Sequence, residues 1–254
     1  RHAMTMILRL LAAALLATPA LATAAPVKRP AAAPAKQRGA RAPKPPIAAA
    51  TAPAEPPALI PSAGVTQVAQ WVTAAGDNHG LPYLIVDKTQ AALFMFDGKG
   101  VPLAREAVLI GIAPGDDATA GVGSKKLAEI GPAEKTTPAG RYLARFGVPF
   151  RGERILWVDY ATSVALHPIP SDASKREHRR DRMLSPTPDD NRITFGCINV
   201  PKAFYAKLLR PRFAKKGGYV YVLPDTKPIE EVFPRLRVQQ VIDANAAISP
   251  ERGS

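Results

Sequence analysis

Tyr83-Leu84-Ile85-Val86-Asp87, Ala91-Ala92-Leu93-Phe94-Met95-Phe96 and, after the turn Asp97-Gly98-Lys99-Gly100, Ala107-Val108-Leu109-Ile110-Gly111-Ile112 are short apolar runs rich in β-formers. Each is shorter than a stable helix and is bounded by turn residues, so together they predict a β-meander. The pattern resumes at Thr136 to Phe146, Arg154 to Tyr160, Ser163 to Leu166 and Gly218 to Leu223. Helical spacing is confined to the margins. Val65, Val68, Ala69, Val72 and Ala75, with Trp71 beside them, predict an amphipathic helix over 64–75. Lys202 to Leu209 predict another, with Pro201 in its first turn, and the tail predicts a third around Val232 to Ala247, broken or kinked at Pro234. The expected class is mainly β with short helices, and there is no internal repeat.

Upstream of this region the composition changes twice. Arg9, the run Leu10 to Ala17 and the small-residue pattern Ala20-Leu21-Ala22 or Ala22-Thr23-Ala24 have the three-part anatomy of a secretory signal peptide over 1–24. That run is well short of the about 20 apolar residues a membrane-spanning helix needs, so no stable insertion is expected after cleavage. From Ala25 to Ser62 the chain is Ala, Pro, Lys and Arg, with ten prolines and Glu55 as its one acid. Such a segment has too little apolar surface to offset its ordering entropy, so residues 25–62 read as a disordered tether. In polyproline form it could reach on the order of 100 Å at ~3.1 Å per residue. Residues 63–80 are then a helical lead-in, 81–225 one domain with its own core, and 226–254 a helical tail.

The formal charge is +13. Two basic residues lie in the leader and six in the tether, which leaves 26 basic and 20 acidic residues between Ala63 and Ser254. A mild basic excess outside the cytoplasm suits an anionic polymer such as the cell wall. No nucleic-acid motif is present, so nucleic acid is not an expected partner. Asp116 and Asp117 have no histidine or cysteine near them in sequence; they read as a solvated loop, and neither metal nor cofactor is expected.

Cys197 is the chain's one cysteine, in Asn191-Arg192-Ile193-Thr194-Phe195-Gly196-Cys197-Ile198-Asn199-Val200-Pro201. It has no internal disulfide partner, and an unpaired thiol in an oxidising compartment asks for a reason beyond packing. A buried small hydrophobe is the commonest fate of free cysteine, and composition alone does not separate that fate from a nucleophile. For nucleophilic work the thiolate needs an imidazole or a helix N-terminus, and the oxyanion needs backbone N–H groups. Gly196 permits an unusual turn, the amides near Gly196 and Cys197 are candidate oxyanion donors, and a helix is expected within about four residues. The base has three candidates in the mature chain. His79 reads as a loop residue, His178 lies in the charged run Lys175 to Arg182, and His167 ends the apolar run Ser163 to Leu166. A catalytic imidazole needs fixed geometry, which favours His167.

Thr194-Phe195-Gly196-Cys197-Ile198-Asn199 resembles the active-site motif of L,D-transpeptidase (YkuD-type) catalytic domains, which runs Ser/Thr, usually His, Gly, Cys, an apolar residue, and often Asn or Arg. Thr137-Pro138-Ala139-Gly140-Arg141-Tyr142 is similar to that family's Thr-Pro-x-Gly-x-aromatic segment, and Leu166-His167 to the position of its histidine. The similarity runs from about Leu81 to Pro224. It implies a β-sandwich or barrel-like domain, a periplasmic cell-wall enzyme, and a cysteine acyl-enzyme mechanism on peptidoglycan stem tetrapeptides. The acyl group would pass to an amine, cross-linking the wall or attaching a wall-anchored protein. Two other readings are a carboxypeptidase or amidase with water as acceptor, and a non-catalytic wall-binding module.

The resemblance implies Cys197 as nucleophile, His167 as base with the Pro168 carbonyl orienting its ring, and Gly196, Thr194, Arg192 and Asn199 as oxyanion or substrate-binding groups. The chain departs from the pattern in two places. Phe195 replaces the usual histidine before Gly-Cys. Fifteen residues separate His178 from Thr194, which fits the family's interval, whereas 26 separate His167 from it. His178 is therefore the competing base, and residues 171–192 are read as a charged insert, either a lid or a surface loop.

Overall fold

The computed structural model describes residues 59–147 and 153–248. The expected leader and nearly all of the tether lie outside the described residues. Among the described residues no helix is long and apolar enough to cross a membrane.

Helix α1 (Ala63–Ala75) starts where Ser62 accepts the Val65 N–H through its hydroxyl at 3.2 Å, and stops at Gly76 in the left-handed region. Its apolar stripe Val65, Val68, Trp71 and Val72 is buried, as the helical spacing predicts. Among the described residues ten strands follow: β1 (Tyr83–Asp87), β2 (Ala92–Phe96), β3 (Pro102–Ala107), β4 (Ile110–Gly111), β5 (Gly140–Phe146), β6 (Leu156–Asp159), β7 (Val164–Pro168), β8 (Arg192–Thr194), β9 (Ile198–Val200) and β10 (Gly218–Val222). Eight of them form one sheet in the order β3-β2-β1-β10-β5-β6-β7-β9, and β4 pairs with β8 in a second, two-stranded sheet. The β1–β10 and β7–β9 pairs are parallel and the others in the large sheet antiparallel. Leu109 and Asn199 exchange backbone hydrogen bonds of 3.0 and 2.9 Å, so the β9 edge meets the chain leaving β3, the opposite edge. The large sheet is thereby nearly closed. The domain is mainly β, as expected.

Alternation along the strands sorts their side chains into two cores. Leu84, Val86, Leu93, Met95, Leu166, Ile198, Val200 and Val220 pack inward with Phe204, Leu209 and Phe213. Tyr83, Ile85, Phe94, Phe96, Tyr219 and Tyr221 face the other way, under Val68, Trp71 and Val72 of α1 and Phe233 and Leu236 of the tail. Each fully buried side chain of this size contributes roughly 1.5–3 kcal/mol.

Several boundaries differ from the sequence reading. The apolar run 107–112 is not one strand: Ala107 ends β3, Val108 and Leu109 turn toward β9, and only Ile110 and Gly111 enter β4. β3 escaped notice because an edge strand carries Arg105 and Glu106 and has no apolar run to mark it. The helix after β9 extends further than Leu209: α4 (Lys202–Phe204) passes through a π turn (Tyr205–Leu209) into α5 (Arg210–Phe213). The tail is split at Pro234 into α6 (Ile229–Val232) and α7 (Arg235–Ile248). The charged stretch 171–192 is folded, into α2 (Ser171–Glu177), α3 (Arg179–Met183) and a 3-10 turn (Pro188–Asn191).

The Gly/Asp loop is also not a solvated loop at Asp116, which is buried. Lys88, 1% exposed, donates to Asp116 Oδ1 at 2.9 Å, to Thr137 O at 3.1 Å and to Gly115 O. Asp116 also accepts the N–H groups of Asp225, Thr226 and Lys227, and Asp225 takes Arg192 at 2.8 Å. Two carboxylates and two cations thus close a buried network. Burial pushes the Asp116 carboxyl up, but hydrogen bonds from Lys88, from the Asp225 and Lys227 amides and from the Thr226 hydroxyl outweigh it and hold the group well below the usual carboxylate range. Lys88 ties this network to Thr137. The Thr137 hydroxyl donates to Gly196 O at 2.8 Å and accepts Gly111 N–H at 2.8 Å, bolting the cysteine turn to the sheet.

Candidate active site

β7 and β9 run parallel with Leu166 opposite Ile198 and His167 opposite Asn199. Leu166 and Ile198 point into the core. The period of two therefore sends Ala165, His167, Cys197 and Asn199 to the opposite face. Cys197 is offset by two residues from the partner of His167, so thiol and imidazole are diagonal neighbours across one strand pair. Both line a cleft of about 300 Å³ together with Thr194, Phe195, Asn199 and Arg179. Its far wall is the chain around Val122, Leu127 and Ile130, and its floor includes Ile155 and Trp157 of the β6 region.

The turn that presents Cys197 is held from within. Thr194 Oγ1 donates to Cys197 O at 2.6 Å and accepts Gly196 N–H at 3.2 Å. The Gly196 amide is therefore committed, which corrects the expectation that both amides are free. Gly196 has φ +120°, and a Cβ there would lie 2.7 Å from Thr136 O. Gly196→Ala is accordingly expected to cost on the order of 1–3 kcal/mol in strain and to move the turn. A fall in melting temperature together with slower thiol alkylation checks it.

The imidazole is fixed at both nitrogens. His167 Nδ1 lies 2.8 Å from Pro168 O, and Nε2 lies 3.3 Å from Asn199 Nδ2. A carbonyl accepts only, so Nδ1 carries the proton. An amide NH₂ donates only, so Nε2 carries the lone pair. Asn199 cannot be turned over, because its Oδ1 accepts Arg179 Nη1 at 2.7 Å. Burial pushes the His167 pKa down; the bond to Pro168 opposes this, and the Arg179 charge adds to it. Cys197 is half-buried, with Sγ 3.8 Å from Ser163 O. Burial pushes its thiol up, against smaller lowering effects of a backbone hydrogen bond from Ala165 and the Arg179 charge. At neutral pH the pair therefore rests as thiol and neutral imidazole.

No family model and no curated protein matches this chain. Among solved structures it is similar to an L,D-transpeptidase from Xylanimonas cellulosilytica DSM 15894 at 14% identity and TM-score 0.34, over 56% of this chain and 60% of that one. It is similar also to the helical cell shape determining protein Pgp2 from Campylobacter jejuni at 16% identity and TM-score 0.38, over 62% of this chain and 55% of that one. A third likeness is to the catalytic domain of an E. faecium L,D-transpeptidase, at 17% identity and TM-score 0.32, over 56% of this chain and 95% of that one. The match spans less than two thirds of the first two chains. These likenesses are distant, and the functional reading rests on the side chains of the cleft.

Of the residues singled out in sequence, Cys197, His167, Thr194 and Asn199 come together around the cleft and Gly196 shapes its turn. Arg192 does not join them: its guanidinium is spent on Asp225, outside the cleft lining. His178 is the hinge between α2 and α3, exposed, 3.4 Å from Asp181, and absent from the cleft lining. The helix expected within about four residues begins at Lys202, capped by Pro201, with the strand β9 between it and Cys197. Phe195 is 40% exposed, with Lys135 Nζ 3.9 Å above its ring.

Arg179 was missed. It sits in the run read as a solvated face, yet it is 8% exposed, and its Nε donates to Glu177 at 2.6 Å. Nothing in the sequence separates it from Arg176, Arg180 or Arg182; the αL turn at His178 does, by resetting the helix phase so that Arg179 falls inward.

Proposed function

We propose that this chain is a peptidoglycan L,D-transpeptidase that works through a Cys197 acyl-enzyme in the periplasm, exported by residues 1–24 and held by the 25–62 tether. The observation that supports it is the shared cleft in which a thiol lies diagonal to an imidazole whose Nε2 carries its lone pair and not its proton. As the thiol attacks the carbonyl carbon of the third residue of a stem tetrapeptide, its proton passes to His167 Nε2. The oxyanion has the Cys197 N–H as donor, since Gly196 N–H is occupied by Thr194. Collapse breaks the C–N bond, and Nε2–H protonates the departing D-alanine amine. An incoming side-chain amine then attacks the thioester, gives its proton to Nε2, and releases Cys197. Water in place of the amine would make the same site a carboxypeptidase.

The test is incubation of the protein with disaccharide tetrapeptide and mass analysis of the products. Release of D-alanine with a dimer joined through the third residue is expected; trimmed tripeptide alone would favour hydrolysis, and unchanged substrate would overturn the proposal. His167→Ala is expected to slow acylation by about 10²–10⁴-fold, the usual worth of general base catalysis, with His178→Ala near the parent rate. Stopped-flow labelling compares them, and the opposite ranking would transfer the base to His178.

The two pKa directions set a pH profile. The low imidazole keeps the base neutral below its ordinary pKa, and the high thiol prevents a thiolate plateau in acid. Iodoacetamide alkylation of Cys197 is thus expected to climb through alkaline pH, past the ordinary thiol midpoint. A flat rate from pH 5 to 8 would mean a standing thiolate–imidazolium pair.

A further inference from the structure

Four side chains form an unbroken line ending on the base. Glu177 accepts Arg179 Nε at 2.6 Å, Arg179 Nη1 donates to Asn199 Oδ1 at 2.7 Å, and Asn199 Nδ2 donates to His167 Nε2 at 3.3 Å. Each direction is forced, because a guanidinium only donates and a carboxylate only accepts. The consequence is a conflict. The lone pair that must receive the thiol proton is already occupied by an amide N–H. Once Nε2 is protonated, two donors would face each other, and Asn199 cannot reverse its amide while Arg179 holds Oδ1.

We propose that Arg179 is a positioning residue that locks the base at rest, and that a carboxylate on the bound acyl donor unlocks it by drawing the guanidinium off Asn199. No described residue accepts from Arg179 Nη2, and the side chain, 10% exposed, lines the cleft. A carboxylate arriving there matches the planar fork of the guanidinium. The Asn199 amide then turns over. Its Oδ1 accepts the new Nε2–H, Pro168 O keeps Nδ1–H, and the imidazolium is satisfied on both sides. The only covalent change is one proton moving from Sγ to Nε2. This inference rests on His167 serving as the base of Cys197, and it adds a substrate requirement: an acyl donor without a carboxylate near the scissile bond meets a locked base.

The groups that bear on His167 are Arg179 from α3, Glu177 behind it, Cys197 beside β9 and Glu153 ahead of β6. Lys125 and Glu134 on the far wall pair with each other.

Two measurements test the lock apart from transpeptidation. Imidazole ¹⁵N shifts of the resting protein should report the Nδ1–H tautomer for His167. Arg179→Gln should mix the tautomers and raise the His167 pKa, whereas Asn199→Asp should place the proton on Nε2. The second measurement is alkylation of Cys197 by iodoacetate and by iodoacetamide, which differ by one carboxylate. The iodoacetate-to-iodoacetamide rate ratio should fall about tenfold or more in Arg179→Gln and be partly kept in Arg179→Lys. If Arg179→Gln does not fold, Glu177→Ala, which removes only the acceptor of Nε, should give the same shifts in smaller measure. Unchanged tautomer and unchanged ratio in a folded variant would overturn the lock while leaving the acyl-transfer reading intact. An intact lock in a protein that never transfers acyl groups would overturn that reading alone.

Discussion

The parent chain is expected to form a single covalent adduct with a carbapenem, and Cys197→Ala to abolish it, both read by intact mass. The parent has one cysteine, so a remaining adduct of equal amount would place the nucleophile elsewhere and sink the acyl-enzyme. The effect is all-or-none because Cys197 is the one thiol of the chain, and the hydroxyls of the cleft are far weaker nucleophiles. Thr194, the nearest hydroxyl in the motif, donates its proton to Cys197 O and accepts Gly196 N–H. The alanine variant should fold normally. Sγ has only weak backbone partners, Ser163 O at 3.8 Å and Ala165, and the turn is held by Thr194 and Thr137 instead. Equal melting temperatures for parent and variant would separate lost chemistry from lost structure. Cys197→Ser is expected to be nearly as inert toward carbapenem, since an alcohol offers far less of the anion than a thiol even with the same base.

Lys88→Met is expected to be the largest stability loss available from one side chain. It takes the cation from the buried Asp116, which keeps only amide and hydroxyl donors, and leaves Asp225 with Arg192; stranding a buried charge costs about 3–5 kcal/mol. For a domain of this size that lowers the melting temperature by on the order of 10 °C. The pH dependence carries a distinct sign. In the parent, the folded pKa of Asp116 is depressed, so its contribution is present above the unfolded value near 3.9 and disappears as pH falls below it. In the variant the stranded carboxylates gain by protonation. The gap between parent and variant is therefore widest near neutral pH and narrows toward pH 4; a gap constant with pH would mean that lost packing, and not charge, is responsible. Thiol alkylation should also change in the variant, because Lys88 holds Thr137 and Thr137 holds Gly196.

The Lys88 network shows how far sequence reading reaches. Lys88 follows a buried strand and precedes Thr89-Gln90, a place where lysine ordinarily meets water. Its ionic partners lie 28 and 137 positions away, too far for any local pattern to join them. Asp116 read as a solvated loop residue for the same reason. Arg192, beside the cysteine motif in sequence, was drawn into the site by proximity along the chain, yet its side chain leaves on the other side, to Asp225. The strands were legible because their burial is continuous along the chain, with β1, β2 and β10 buried throughout. β3 was not, since an edge strand need not be apolar.

By itself the sequence determined what local chemistry can state: one thiol behind a glycine, a histidine ending an apolar run, a mainly β domain, and a proline-rich segment ahead of it. Only the tertiary structure decided which groups meet. The parallel register of β7 and β9 put His167 and Cys197 on one face, the αL hinge at His178 turned Arg179 inward, and the network of Lys88, Asp116, Asp225 and Arg192 took up residues that looked free. The physical reason is that burial periodicity is written along the chain. Partners of charged and hydrogen-bonding groups are set by strand pairing and crossover, which bring together residues with no relation in sequence.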